Sequence, residues 1–400
     1  MMSSSGYQRV NGLKLFVHRF RDDAAPPSGL TIVLLHGFMD SGATWDLVAP
    51  ALAHAGHDVV APDLRGFGMS EYVGAGGYYH FPDYVADLAE LVDALAPRRL
   101  AVVGHSMGGT VAALYVGAHP DRVERLALLE GTGPVGTEPA LAVDRMQAWL
   151  RTLREAQRTP KYLSSLKEAV ERLSLHHPRV PREVIESRAK LLTRVDDAGR
   201  LLWAYDPLHR TTAPTPFHAD AFKEFLRRID CPTLLVSGGT TGWHPPDEPE
   251  RLACLAHAVR CELPTAGHMM HWTTPGPLAQ RLAQFFGEAP PVKQARPAVS
   301  ARQAVPEAVL STPGAGVTAP EMPPPSAQEL SPSIRLMAPG EVTSPVGATV
   351  GGAGTTPGKP IYGGAAADLG VPVTTTPAGA APTTPTRPSS GMSGSGSGGG

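Results

Sequence analysis

Cysteine is scarce in this sequence: three in 400 residues, Cys231, Cys254 and Cys261. The number is odd and no pair has a metal-binding spacing, so a disulfide framework or a zinc site is not expected, and the thiols are read as reduced and mostly buried. No uninterrupted apolar run reaches the roughly 18 residues of a membrane span, so no membrane partner is expected. An excess of charge is also missing. The formal balance is -2, which gives no reason to expect nucleic acid or a strongly charged partner. Residues 1–7 lack a basic segment followed by an apolar one, so no secretory signal is expected there and a cytoplasmic location is the default. There is no GxxxxGK[ST] phosphate loop and no HExxH cluster, and the histidines are scattered. The expectation is therefore no metal and no cofactor.

The distribution of residues divides the chain. From Pro290 onward there are 19 of the 41 prolines, no Trp and no Phe. Such a stretch cannot bury enough apolar surface to offset its chain entropy, so 288–400 is expected to be a disordered tail. Residues 1–287 hold the globular part. Asn11-Gly12 between two alternating runs predicts a hairpin. Residues 31–35 are continuously apolar, as in a strand buried on both faces. Short apolar runs then alternate with helical patterns up to about residue 131, which predicts an α/β fold with a mostly parallel central sheet and helices on both faces. From 132 to 222 the alternation stops, and the pattern there predicts an all-helical lid. Pro160 and Pro181 are expected in the first turns of two of its helices. The alternation resumes over 223–287, so the core is expected to comprise 1–131 and 223–287.

The most informative stretch is 100–110. The apolar strand pattern from Leu100 to Val103 runs into Gly104-His105-Ser106-Met107-Gly108, and a helical pattern follows at once. A G-x-S-x-G motif between strand and helix is the nucleophile-elbow arrangement, which lifts a serine hydroxyl above a sheet at a helix N-terminus. His36, Asp63, Ser106 and Glu130 all fall at the C-terminal ends of predicted strands, where open α/β sheets place their ligand sites.

These motifs resemble the alpha/beta-hydrolase fold family over about residues 6–287. The resemblance rests on Leu35-His36-Gly37-Phe38, on the segment Asp63 to Ser70, on Gly104 to Gly109 and on Gly267-His268. It implies a serine nucleophile, Ser106, and a histidine base, His268, with His271 as its rival. It also implies an oxyanion hole from the backbone N–H groups of Phe38 and Met107. His105 is expected to point away from the substrate, and His36 to shape the oxyanion loop. Asp63 and Arg65 are expected to pin a tight loop, and Trp203 to Pro207 to be structural.

The acid is open between two positions. The place after the strand that follows the lid reads Ser237 to Trp243, with no carboxylate, and the first acids beyond it are Asp247 and Glu248. Glu130, after the strand that precedes the lid, is the other place where lidded relatives carry the acid. It is preferred here, with Asp247 as the alternative. The resemblance implies a cofactor-free serine hydrolase acting on a small-molecule ester, lactone or related acyl substrate. Met146, Trp149, Leu150 and Trp203 of the lid are possible pocket residues. A serine nucleophile argues against dehalogenase and epoxide-hydrolase chemistry, whose usual nucleophile in this fold is Asp. Carbon–carbon bond hydrolysis or acyl transfer would use the same three side chains. A binding protein that has lost activity is the reading from a different class.

Overall fold

The structure is a computed structural model that describes residues 2–158 and 161–287. The expected tail at 288–400 and the expectation for Pro160 lie outside the described residues. The hairpin predicted at Asn11-Gly12 joins β1 (Met2–Val10) and β2 (Leu13–Arg21). Both turn residues have positive φ, 47° and 80°, as the tightest hairpin turn requires. The remaining core strands are β3 (Leu30–Leu35), β4 (Asp58–Pro62), β5 (Arg99–His105), β6 (Arg125–Leu129), β10 (Thr233–Ser237) and β11 (Ala258–Glu262). They form one eight-stranded sheet in the order β1-β2-β4-β3-β5-β6-β10-β11. β2 is antiparallel to β1 and to β4, and every other pairing is parallel.

The continuous apolar runs are explained by a sheet covered on both faces. Val33 and Leu35 of β3, Leu100 and Val102 of β5, and Leu126 and Leu128 of β6 share one core. Helices α2 (Phe81–Leu95), α3 (Met107–Ala118) and α7 (Ala219–Arg228) cover it with Leu88, Val111 and Phe222. The alternate residues, Ile32, Leu34, Ala101, Val103, Ala127 and Leu129, enter the other core. There they meet α1 (Ala49–His54) and α10 (Pro275–Gly287) through Leu52, Leu278 and Phe285. Side chains that alternate along a strand thus serve two apolar faces, and no polar position remains to break the run.

Between β6 and β10 lies the inserted segment. It contains α4 (Ala142–Arg158), α5 (Leu166–His176) and α6 (Arg182–Leu191). Contrary to the all-helical expectation, it also contains a small antiparallel sheet, β7 (Tyr162–Leu163), β8 (Thr193–Val195) and β9 (Leu201–Trp203), ordered β7-β9-β8. These strands are two or three residues long, too short to print a period in the sequence. Pro181 is the N-cap of α6 rather than a first-turn residue. Helix α7 begins at Ala219, ahead of the expected boundary at 222, and packs against the α3 side of the sheet. Leu163, Val170, Leu173, Ile185 and Leu192 make a separate core for the insertion, closed from below by Trp272. Among the described residues no helix is long and apolar enough to cross a membrane.

Candidate functional site

The site is assembled at the C-terminal ends of β3, β5, β6 and β10. At the end of β5 the chain turns into α3 through Ser106, whose φ of 52° and ψ of -118° form a backbone conformation that costs a non-glycine residue about 1–3 kcal/mol. The turn is possible because strand and helix nearly touch: a Cβ on Gly104 would collide with the Gly108 carbonyl. Ser106 is half-buried, so its hydroxyl remains reachable. Met107 opens α3, and its N–H is one of the first-turn donors that a helix leaves without an internal partner.

Glu130 follows β6 and also has positive φ, 47°. Its side chain is 2% exposed. Residues 237–243, from the end of β10 onward, carry no acid and supply the groups that hold it. Gly238 N–H donates to Oε1 at 2.6 Å and Trp243 N–H donates to Oε2 at 2.7 Å. A Cβ at Gly242 would fall on Oε1, so the glycines of this loop leave the space that the carboxylate fills. The Glu130 Oε2 atom lies 2.7 Å from His268 Nδ1, and His268 Nε2 lies 3.0 Å from Ser106 Oγ. A carboxylate only accepts, so Nδ1 carries the proton and the Nε2 lone pair faces the serine hydroxyl. The imidazole is 25% exposed, so one edge of this chain of contacts opens to solvent.

The structure therefore brings Ser106, Glu130 and His268 together. Asp247 goes elsewhere: it stands at the N-cap position of α8 (Glu248–Ala253), and its side chain pairs with the buried Arg251 at 2.8 Å. His271, the rival base, is fully buried and bonds Asp40 at 2.9 Å. His105 is buried, with Nε2 2.8 Å from the His268 carbonyl. His36 shapes the loop after β3 as expected: its Nδ1–H donates to the Gly37 carbonyl at 2.7 Å, and its Nε2 accepts from Leu64 N–H at 2.9 Å. Burial lowers the His36 pKa, outweighing the charges of Asp40 and Asp63. The neutral ring thus holds the backbone around Phe38, whose own ring packs edge-on against Phe67 and His209.

Asp63 and Arg65 are loop pins. Asp63 accepts from Gly42 N–H at 2.7 Å and Met69 N–H at 2.8 Å, and Arg65 grips Asp87 through two bonds of 2.6 Å. In the segment Trp203 to Pro207, Asp206 accepts from Tyr79 Oη and caps Leu208 N–H. Of the lid residues considered for a pocket, Trp149 packs on Tyr78 and Trp203 stacks on Tyr205, while Met146 and Leu150 are exposed.

The sequence spacing gave no sign of one further grouping. Asp40, His105 and His271 are all buried, and their ligating atoms lie within 4.8 Å of one another. Their positions come from the loop after β3, the last residue of β5 and the short helix α9 (Met270–Thr273), and only the fold joins them. The group is knitted internally: Asp40 accepts from His271, from Ser41 N–H and from Thr44 Oγ1, and His105 Nε2 is taken by the His268 carbonyl. Burial pushes the Asp40 carboxyl up, but bonding and charge from His271 outweigh it and hold the group below the usual carboxylate range.

Residues 31–275 match the alpha/beta hydrolase fold family. A serine hydrolase-like protein of Danio rerio is 38% identical over 113 residues, 28% of this chain and 34% of that protein. The chain thus spans about a third of that relative's length, and 61% of a serine hydrolase-like protein of Dictyostelium discoideum. A 3-hydroxybutyrate-oligomer hydrolase of Cupriavidus necator is 29% identical, over 68% of this chain and 92% of that protein. The thioesterase domain from the curacin biosynthetic pathway superposes with a TM-score of 0.61 at 25% identity, over 71% of this chain and all of that one. With the elbow, the sheet order and the family match in agreement, the chain belongs to the alpha/beta hydrolase fold family.

Proposed function

We propose that this chain is a serine hydrolase that cleaves a small ester, thioester, lactone or related acyl compound through an acyl-enzyme on Ser106. The observation that carries the reading is the continuous relay from Glu130 through His268 to Ser106, with contacts of 2.7 and 3.0 Å. A serine hydroxyl is a weak nucleophile unless a base takes its proton during attack. His268 Nε2 is placed for that transfer, and Glu130 stabilises the imidazolium that results. The new bond joins Oγ to the acyl carbon, and the negative charge passes to the former carbonyl oxygen. Fixed N–H donors from Phe38 and Met107 would receive it, each contributing about 2.7–4 kcal/mol to lowering the barrier. His268 then returns the proton to the leaving group. In the second half, water loses a proton to His268 and attacks the acyl carbon; the bond to Oγ breaks, and His268 returns that proton to Ser106 Oγ. The oligomer hydrolase and the thioesterase domain, by their names, support an acyl substrate.

The test is covalent labelling by a fluorophosphonate, which requires an activated serine. Wild type should label rapidly, and Ser106→Ala should not. Folded wild-type protein that fails to label overturns the reading.

A further inference from the structure

His105 sits beside the candidate nucleophile, yet the relay just described does not use it. Its side chain is 1% exposed. The ring lies between two others, with its centroid 4.8 Å from that of His268 and 4.6 Å from that of His271. Behind His271 is the buried Asp40 carboxylate, at 2.9 Å. One polar contact leaves the His105 ring: Nε2 lies 2.8 Å from the backbone carbonyl of His268. A carbonyl can only accept, so the proton of this imidazole is on Nε2. The other nitrogen, Nδ1, has no hydrogen-bond partner and faces Gly37, where a Cβ would lie 2.8 Å away. Glycine at 37 thus admits the ring. Burial, followed by the charges of His271 and His268, drives the His105 pKa well below its ordinary value. Burial thus favours the neutral ring, and its single donor is fixed by the His268 carbonyl.

We propose that His105 is a positioning residue for the reaction, a strut that ties the end of the nucleophile strand to the loop carrying His268. The inference rests on the acyl-enzyme reading above. The reasoning is geometric. His268 belongs to no helix or strand, since the loop after β11 carries it. Ser106, by contrast, is fixed to the sheet through its own N–H, which donates to the Leu129 carbonyl at 3.0 Å. The bond from residue 105 to the backbone of residue 268 therefore sets the distance between base and nucleophile from within the same strand end. The Asp40–His271 pair packs on the far side of the ring and prevents it from swinging away. It also joins the oxyanion loop, through Asp40, to the same assembly. A misplacement of about 1 Å between base and nucleophile can cost about 100-fold in rate.

The test compares His105→Phe, which keeps a ring but loses the donor, with His105→Gln, whose amide N–H reaches about the same point. The readouts are phosphonylation by a fluorophosphonate and steady-state hydrolysis of 4-nitrophenyl butyrate. In His105→Phe both kcat and the labelling rate should fall about 10- to 100-fold with KM changed less than about 3-fold. His105→Gln should recover most of the loss. If His105→Phe does not fold, nitrogen NMR of histidine-labelled wild type at pH 7.5 decides: the proposal requires residue 105 to carry its proton on Nε2, and an Nδ1–H ring with bare Nε2 overturns it. Reactive wild type with an unchanged His105→Phe overturns the role of His105 alone. Wild type inert to both reagents overturns the acyl-enzyme reading itself.

Discussion

Glu130 shows how a side chain is selected by its surroundings as much as by its own chemistry. Its carboxylate takes two backbone N–H groups from the stretch that lacks an acid, and the Gly242 backbone is where a side chain would collide with it. Replacing Glu130 with Gln keeps the shape but removes the charge that fixes the His268 tautomer. Turnover of 4-nitrophenyl butyrate should fall roughly 10³- to 10⁴-fold, as removal of a triad acid does elsewhere. Asp247→Asn should leave kcat within about 3-fold and affect stability instead, since Asp247 pairs with Arg251. Gly242→Ala is the sharper test. Gly242 has φ of -78°, so alanine suits its backbone, yet the methyl group displaces the carboxylate. We expect at least a 10-fold loss of kcat with little change in Tm, measured on the same preparations. The serine and the histidine of this site were legible because each sits in a local motif. For the acid, Glu130 could be preferred over Asp247 but not fixed, because what distinguishes them is a contact across 108 residues, and in sequence the glycines that make room for Glu130 read simply as a missing acid.

The lid is fastened to the core by a few polar contacts between elements distant in sequence. Arg188 of α6 is 1% exposed and reaches Asp46, in the short 3-10 helix Gly42–Leu47, at 2.7 Å. Tyr84 donates to His209 Nε2 at 2.8 Å, and Tyr79 donates to Asp206 at 2.7 Å. Removing the partner of a buried cation is costly, but Asp46 is 40% exposed, and water screens part of the loss. Asp46→Asn should therefore lower stability by about 1 kcal/mol, a few degrees in Tm. On an Arg188→Met background the same change should cost nothing further, because no charge remains to strand. Equal costs on both backgrounds would show that the pair does not hold the lid. The central sheet was legible throughout, since strands buried on both faces leave long apolar runs. The lid was legible as an insertion but not in detail. Its strands span two or three residues, and their pairing depends on neighbours that no local pattern specifies.

Across the whole molecule the buried histidines make stability depend on pH in one direction. Burial is the leading cause of a lowered pKa at His36, His57, His105, His177 and His209, with His177 down to about 4 and His209 to about 3. In the unfolded chain each of these rings titrates near 6.5, so below that pH the unfolded state binds more protons than the folded one. Stability is then complete above about pH 6.5 and is lost as pH falls toward 4. Each ring contributes a slope of up to about 1.4 kcal/mol per pH unit within that window. His244 runs the other way: its bond to the Gly239 carbonyl, with help from Glu248, raises its pKa, and its contribution fades as pH rises through 6.5. Five groups against one leave a net loss on acidification. Tm should therefore drop steadily between pH 6.5 and 4.5, before the carboxylates titrate. His209→Gln should flatten that slope by one ring's share, even though it lowers Tm at pH 7.5 through its lost bond to Tyr84. A Tm that stays level from pH 7 to 5 in the wild type would mean that the buried rings accept protons without unfolding the protein, and the neutral, single-tautomer state assigned to His105 and His36 would have to be abandoned with it.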